Sequence, residues 1–191
     1  MKAGPVLSVL ASAFLFGLSA PLAKLLLGRV DPVALAGLLY AGVFLGLAAA
    51  RGASRLLRGR RAAGRSGPGA SLGRRDLPWL AGAVLSGGIA APILLMFGLG
   101  RVSGLTGSLL LNFEATATAL IAVLLFRENA GARIWAALAL MTAGGALLSW
   151  VPAEGRLDVA GPILVLAAMA AWGLDNNLTR LISGKNPVNI A

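Results

Sequence analysis

The chain contains no cysteine and no histidine, a single tyrosine, and only 13% charged residues among 191. Without cysteine there is no disulfide framework or thiol chemistry, and without histidine there is no imidazole ligand or imidazole proton relay. No Cys, His, Asp or Glu cluster has metal-ligand spacing and there is no histidine to serve a catalytic triad, so no metal, no cofactor and no enzymatic activity are expected. Charge stands at about half the roughly 25% of ordinary soluble domains, whereas 58% of the residues are hydrophobic and mean hydropathy is +0.83. Such a balance belongs to an integral membrane protein. With imidazole absent, any proton-coupled step at membrane depth must use a carboxylate.

Six apolar runs cover residues 5–27, 33–50, 77–99, 104–126, 132–151 and 160–182. At about 1.5 Å per residue each approaches or exceeds a hydrocarbon core of roughly 30 Å, so the fold class expected is an all-α polytopic bundle. The first run, preceded by Lys2, also imitates a cleaved signal peptide, but it is long for one. Asp31-Pro32 predicts an N-cap with proline at the first helical position, and Asp76 is expected to cap the third run.

The run at 104–126 carries one charge, Glu114, near its midpoint. A carboxylate at that depth costs several kcal/mol unless it faces a bundle interior or a wet cavity, which makes it a site candidate. The alternative is a protonated glutamic acid that holds helices together by hydrogen bonding. Gly104, Ser108, Asn112 and Thr116 recur every four residues and predict one small, polar packing face, with Glu114 and Thr118 on a neighbouring one.

In the third run, Ser86 to Pro92 strings together helix-breaking residues. Two readings stand: a kink that lets helices pack closely, or a break whose freed backbone groups are covered by protein or by a wet cavity. The sixth run contains Trp172, Asp175, Asn176 and Asn177. Glu114 and Asp175 are the acids well inside the runs; around a shared cavity they would bind a cationic solute or exchange protons. Asn112, Asn176 and Asn177 satisfy either a polar solute or one another, and Trp172 either lines the cavity or packs. Lys24 and Arg180 lie near run ends and read as snorkelling anchors.

The net charge of +10 does not indicate nucleic acid, because eight of the fourteen arginines fall in one Gly/Ser/Pro-rich stretch, Arg51 to Arg75, that has no aromatic residue for base stacking. This loop, taken as residues 51–76, instead predicts topology. With the amino terminus inside, thirteen of the seventeen cations lie on the cytoplasmic side, which satisfies the positive-inside rule and predicts a multi-pass protein of the cytoplasmic membrane.

Aligning Val9–Ala36 with Val165–Ala191, with one gap after Arg29, matches Gly17-Leu18 to Gly173-Leu174, Leu25 to Leu181, Gly28 to Gly184 and Pro32-Val33 to Pro187-Val188. Five runs separate the two copies, and an odd number reverses the direction of insertion. Inverted repeats of this kind build many secondary transporters, with the site near the midplane between the copies. Residues 1–151 are read as one five-helix repeat and 152–191 as the start of a second. A complete second copy would need about four further spans, consistent with the inverted-repeat architecture.

Three linked segments, GGIAAPILLMFGL (Gly87–Leu99), SLLLNFEATATALIAVLLFRE (Ser108–Glu128) and AWGLDNNLTRLIS (Ala171–Ser183), resemble the drug/metabolite transporter superfamily, in particular its EamA-like members. The resemblance implies ten helices in two inverted five-helix halves, six of them in this chain, and transport of small metabolites or drugs by alternating access. It places Asn112 and Glu114 on the fourth-helix signature, Glu128 on the acid that closes that helix at the cytoplasmic side, and Asp175, Asn176 and Asn177 on the polar segment of the sixth helix. Where the first copy should show the counterpart of that segment it has Ser19-Ala20-Pro21. The partners implied are a small-molecule solute, the bilayer, a coupling proton or ion, and a second copy of the chain as an open alternative. A non-transporting membrane scaffold, or an inactive truncated fragment, is the competing expectation.

Overall fold

Asp31 Oδ1 accepts the N–H groups of Val33 and Ala34 at 2.9 and 3.1 Å, so the turn after the first helix closes as the predicted N-cap with Pro32 leading the second. The structure is a computed structural model that describes residues 3–58, 72–149 and 159–184, and among them every regular element is helical. Helix α1 is Ala3–Leu26 and α2 is Pro32–Arg58. The first eight residues of the expected basic loop therefore continue α2, since Ala, Leu and Arg there are good helix formers. The rest of the loop core, 59–71, the loop at 152–158 and the repeat match beyond residue 184 lie outside the described residues.

The third run begins with a 3-10 turn, Arg74–Asp76. Asp76 does not cap the helix that follows; its carboxylate accepts the Gly73 N–H at 2.8 Å and shapes the turn before it. Then come α3 (Leu77–Ala83), a π-helical segment (Val84–Ala90) and α4 (Ala91–Arg101). Pro92 has no N–H, and its ring would collide with a carbonyl one turn back, so the chain widens by one residue before it. The freed carbonyl of Gly87 is covered by protein: Tyr40 Oη donates to it at 2.8 Å and Trp172 Nε1 at 3.0 Å. Of the two readings of this run, a break covered by protein is the one observed.

The fourth run is not one helix. It divides into α5 (Gly104–Leu110), capped by Ser103 Oγ on the Thr106 N–H at 3.0 Å, and α6 (Phe113–Leu124). At the division the Asn112 amide donates to the Leu109 carbonyl at 3.1 Å, and the backbone bonds tighten to three-residue spacing. An Asn side chain competes for backbone partners in this way. The predicted small face is split as a result: Ser108 bonds back to the Gly104 carbonyl, and Thr116 meets Thr142 at 3.3 Å.

After α6 the chain turns through Arg127, whose φ of 54° places a non-glycine residue in the left-handed region. This turn swings Glu128 back toward the bundle. Such a residue costs roughly 1–2 kcal/mol, so Arg127→Gly is expected to raise stability by about 0.5–1 kcal/mol after its own entropy cost, measurable as a higher unfolding temperature in detergent. Helix α7 (Ala132–Ser149) and helix α8 (Ala160–Leu181) complete the described elements.

Val6–Leu26, Pro32–Ala50, Arg74–Arg101 and Gly104–Leu124 are long and apolar enough to cross a membrane, and Ala132–Leu147 is a shorter apolar helix. With 22 residues α8 is long enough to cross, but it carries Asp175, two asparagines and Arg180. It lies at the centre, packed chiefly on α4 and α6. Gly98 is beside Gly161 and Val165, Gly87 beside Asp175, and Gly82 beside Leu178, so α8 runs antiparallel to the α3–α4 pair. The core holds Leu99, Val165, Met169 and Ile182 fully buried, among small residues such as Ala20, Ala23, Ala36 and Ala168. Small side chains at helix contacts are what packing in lipid requires. Phe14 and Phe44, at 68% and 71% exposure, mark the outward apolar faces that a bilayer covers.

Candidate functional site: a polar cleft between α6 and α8

The site starts from a missing side chain. A Cβ on Gly173 would lie 2.8 Å from the Thr118 backbone nitrogen and 3.0 Å from the Ala117 carbonyl carbon, so α8 rests on α6 backbone to backbone. That approach carries Asn176 and Asn177 onto Thr118. Asn177, only 2% exposed, donates its amide to the Thr118 carbonyl at 2.9 Å and to the Gly173 carbonyl at 2.8 Å. It ties the two helices together and has both amide hydrogens in use. The exposed Asn176 donates to Glu114 Oε1 at 3.0 Å and to Thr118 Oγ1 at 3.2 Å.

These residues line an open cleft of about 630 Å³ that also includes Asn112, Glu128 and Arg180. Glu114 therefore faces the cleft and not the lipid side of α6. At the far end, Arg180 of α8 pairs with Glu128. Both side chains are more than a third exposed, so the pair contributes well under 1 kcal/mol and matters for where it holds the groups. Lys24, the other expected anchor, donates Nζ to the carbonyls of Leu99 and Gly100 at 2.7 and 3.0 Å. A cation there satisfies the orphan carbonyls at the negative end of α4.

Asp175 and Trp172 do not line this cleft. The Asp175 carboxylate occupies the place where a side chain on Gly87 would begin, and Thr179 Oγ1 donates to its Oδ1 at 2.9 Å. The expected site residues thus fall into two groups, Asn112, Glu114, Asn176 and Asn177 at the cleft, and Asp175 with Trp172 at the π turn. The two acids do not share one cavity, because the Gly173 contact fixes the rotation of α8 and consecutive residues on a helix diverge by about 100°. Sequence reasoning reaches Gly87 only as part of the Ser86–Pro92 break, and it misses Tyr40. The signal for Tyr40 was present: it is the chain's single tyrosine and sits in an otherwise apolar run.

A multi-pass helical membrane protein with a polar cleft beside its central helix is the class that fold and site define. Residues 4–150 match the EamA-like transporter family, and the chain belongs to that family. It is also similar to a protein of Methanothermobacter thermautotrophicus strain Delta H named only as an uncharacterized transporter, at 30% identity over 189 residues that take in 94% of this chain and 54% of the relative. The chain spans about half of that relative's length. No solved structure gives a significant match.

Proposed function

We propose that the protein is a secondary active transporter that moves small metabolites or drugs across the cytoplasmic membrane by alternating access, with its solute in the cleft between α6 and α8. One observation carries this reading: a mid-span carboxylate, Glu114, is turned into an open cleft of about 630 Å³ among amide and hydroxyl groups. An intramembrane acid facing a cavity is kept for function at a cost in stability. Glu114 is the group for a cationic part of the solute, and Asn112 and Asn176 supply neutral polar contacts. Membership of a transporter family supports the reading.

The placement of the helices supports inverted halves as well. Gly161, near the start of α8, lies against Arg101, and Lys24, near the end of α1, reaches the same end of α4. With the amino terminus cytoplasmic, the orientation that the cation distribution favours, the Glu128–Arg180 end of the cleft is the cytoplasmic end.

The chain has no cysteine of its own, so single cysteines test whether the cleft is wet. Ala119→Cys, in the cleft lining, is expected to react with a membrane-impermeant thiol reagent from the amino-terminal side at least about tenfold faster than Leu124→Cys, which is 72% exposed on the apolar surface. Equal rates would remove the cleft as a solute path. The Asn176–Glu114 bond favours one other reading, a scaffold in which these groups only hold helices together.

A further inference from the structure

The proposed solute cleft leaves one intramembrane acid unused. Asp175 sits on the other flank of α8, against Gly87 in the π-helical segment, with Thr179 Oγ1 on its Oδ1 at 2.9 Å. No cation shares this seat among the described residues: residues 77–98, which make up α3, the π segment and most of α4, contain no charged side chain, and Arg180, one turn on, is held by Glu128. From α2 the titratable neighbour is Tyr40, whose hydroxyl is committed to the Gly87 carbonyl. From α6, Glu114 meets Asn176 on the cleft side.

Both lone pairs of the Gly87 carbonyl are in use, one by Tyr40 and one by Trp172. The π turn is therefore pinned by two donors beside a carboxylate that has no cation. We infer that Asp175 is a proton-binding site separate from the solute cleft, and that taking up a proton changes how the adjoining π turn is held. A proton from the aqueous side neutralises the carboxylate and turns one of its oxygens into a donor. That new donor lies against Gly87, whose carbonyl has no acceptor capacity left, so it either pairs elsewhere on the turn or displaces Trp172 or Tyr40. π-helical turns are found at functional sites because the extra residue gives the helix a second way of pairing, and a titrating group against one biases which pairing holds. Its use as the coupling site rests on the transport reading, while proton binding itself needs no solute.

Trp172 is the built-in reporter, one turn before Asp175 and bonded to the same glycine carbonyl. With every tryptophan except Trp172 changed to phenylalanine, Trp79, Trp135 and Trp150 among them, its emission is followed against pH in nanodiscs of the full-length protein. The expected result is one sigmoidal transition that Glu114→Gln leaves in place and Asp175→Asn abolishes. Thr179→Val removes the hydroxyl donor but keeps the shape, so it is expected to displace the midpoint while preserving the amplitude. A flat curve in the parent protein, an unchanged curve in Asp175→Asn, an unmoved midpoint in Thr179→Val, or loss of the transition in Glu114→Gln overturns the inference. The transport reading fails separately, if Glu114→Gln leaves gradient-driven solute uptake intact.

Discussion

Glu114→Gln is expected to reduce gradient-driven solute uptake by roughly 10- to 100-fold in proteoliposomes of the full-length protein, with little change in thermal stability. Gln has the same length and keeps the oxygen that accepts from Asn176 at 3.0 Å, so the bond between the helices survives and only the charge is lost. A hydrogen bond to a charged group contributes about 1.5–3 kcal/mol, and each 1.4 kcal/mol is tenfold in affinity, which sets the expected loss. Stability changes little, because the side chain faces the open cleft and not lipid, and the amide occupies the same place. If the acid served only to join helices, Glu114→Gln, which keeps the acceptor, would leave uptake unaltered. Glu114→Ala, which removes it, would lower stability by about the 0.6 kcal/mol that interhelical hydrogen bonds in lipid average, again with unaltered uptake. Measuring both quantities on one preparation separates transporter from scaffold.

What the sequence made legible was chemistry that a residue carries by itself. Asp31 caps because its short carboxylate reaches the next amides whatever lies around it, and Pro92 breaks its helix because it lacks an N–H. Long apolar runs became helices within a few residues of their expected ends, since in lipid the backbone has no other partner. The basic stretch after Ala50 predicts a loop by its charge, yet its first eight residues are helical, because arginine, alanine and leucine propagate helix well. The break at Asn112 was not legible, because whether an amide turns to its own backbone or to a solute depends on the space beside it. The same is true of the two acids. Sequence set Glu114 and Asp175 inside spans, but the side of α8 that each meets depends on the rotation of that helix, and no residue near Asp175 encodes this alone. The rotation comes from contacts between elements more than fifty residues apart: Gly173 on Thr118 and Gly98 on Val165.

Substitution at Gly173 is therefore expected to have the largest structural effect in the molecule. A Cβ there meets the Thr118 nitrogen at 2.8 Å and the Ala117 carbonyl carbon at 3.0 Å, both backbone atoms that no rotamer change can move. Overpacking of this kind costs roughly 1–3 kcal/mol, so Gly173→Ala should lie in that range and Gly173→Leu at or beyond its upper end. Gly46→Ala is the comparison. A Cβ on Gly46 meets nothing within 4 Å, and surface changes of that sort stay within about 0.5 kcal/mol. Unfolding in detergent reads the cost, and thiol labelling of Ala119→Cys in the same background reads the consequence for the cleft. As α8 lifts from α6, the Asn177 bond to the Thr118 carbonyl and the Asn176 bond to Glu114 are lost together, although neither residue has been changed. Labelling of Ala119→Cys should then approach the rate of Leu124→Cys. Should Gly173→Leu leave both the unfolding temperature and the labelling contrast as they were, α8 does not rest on α6, and no cleft holds Glu114 away from lipid.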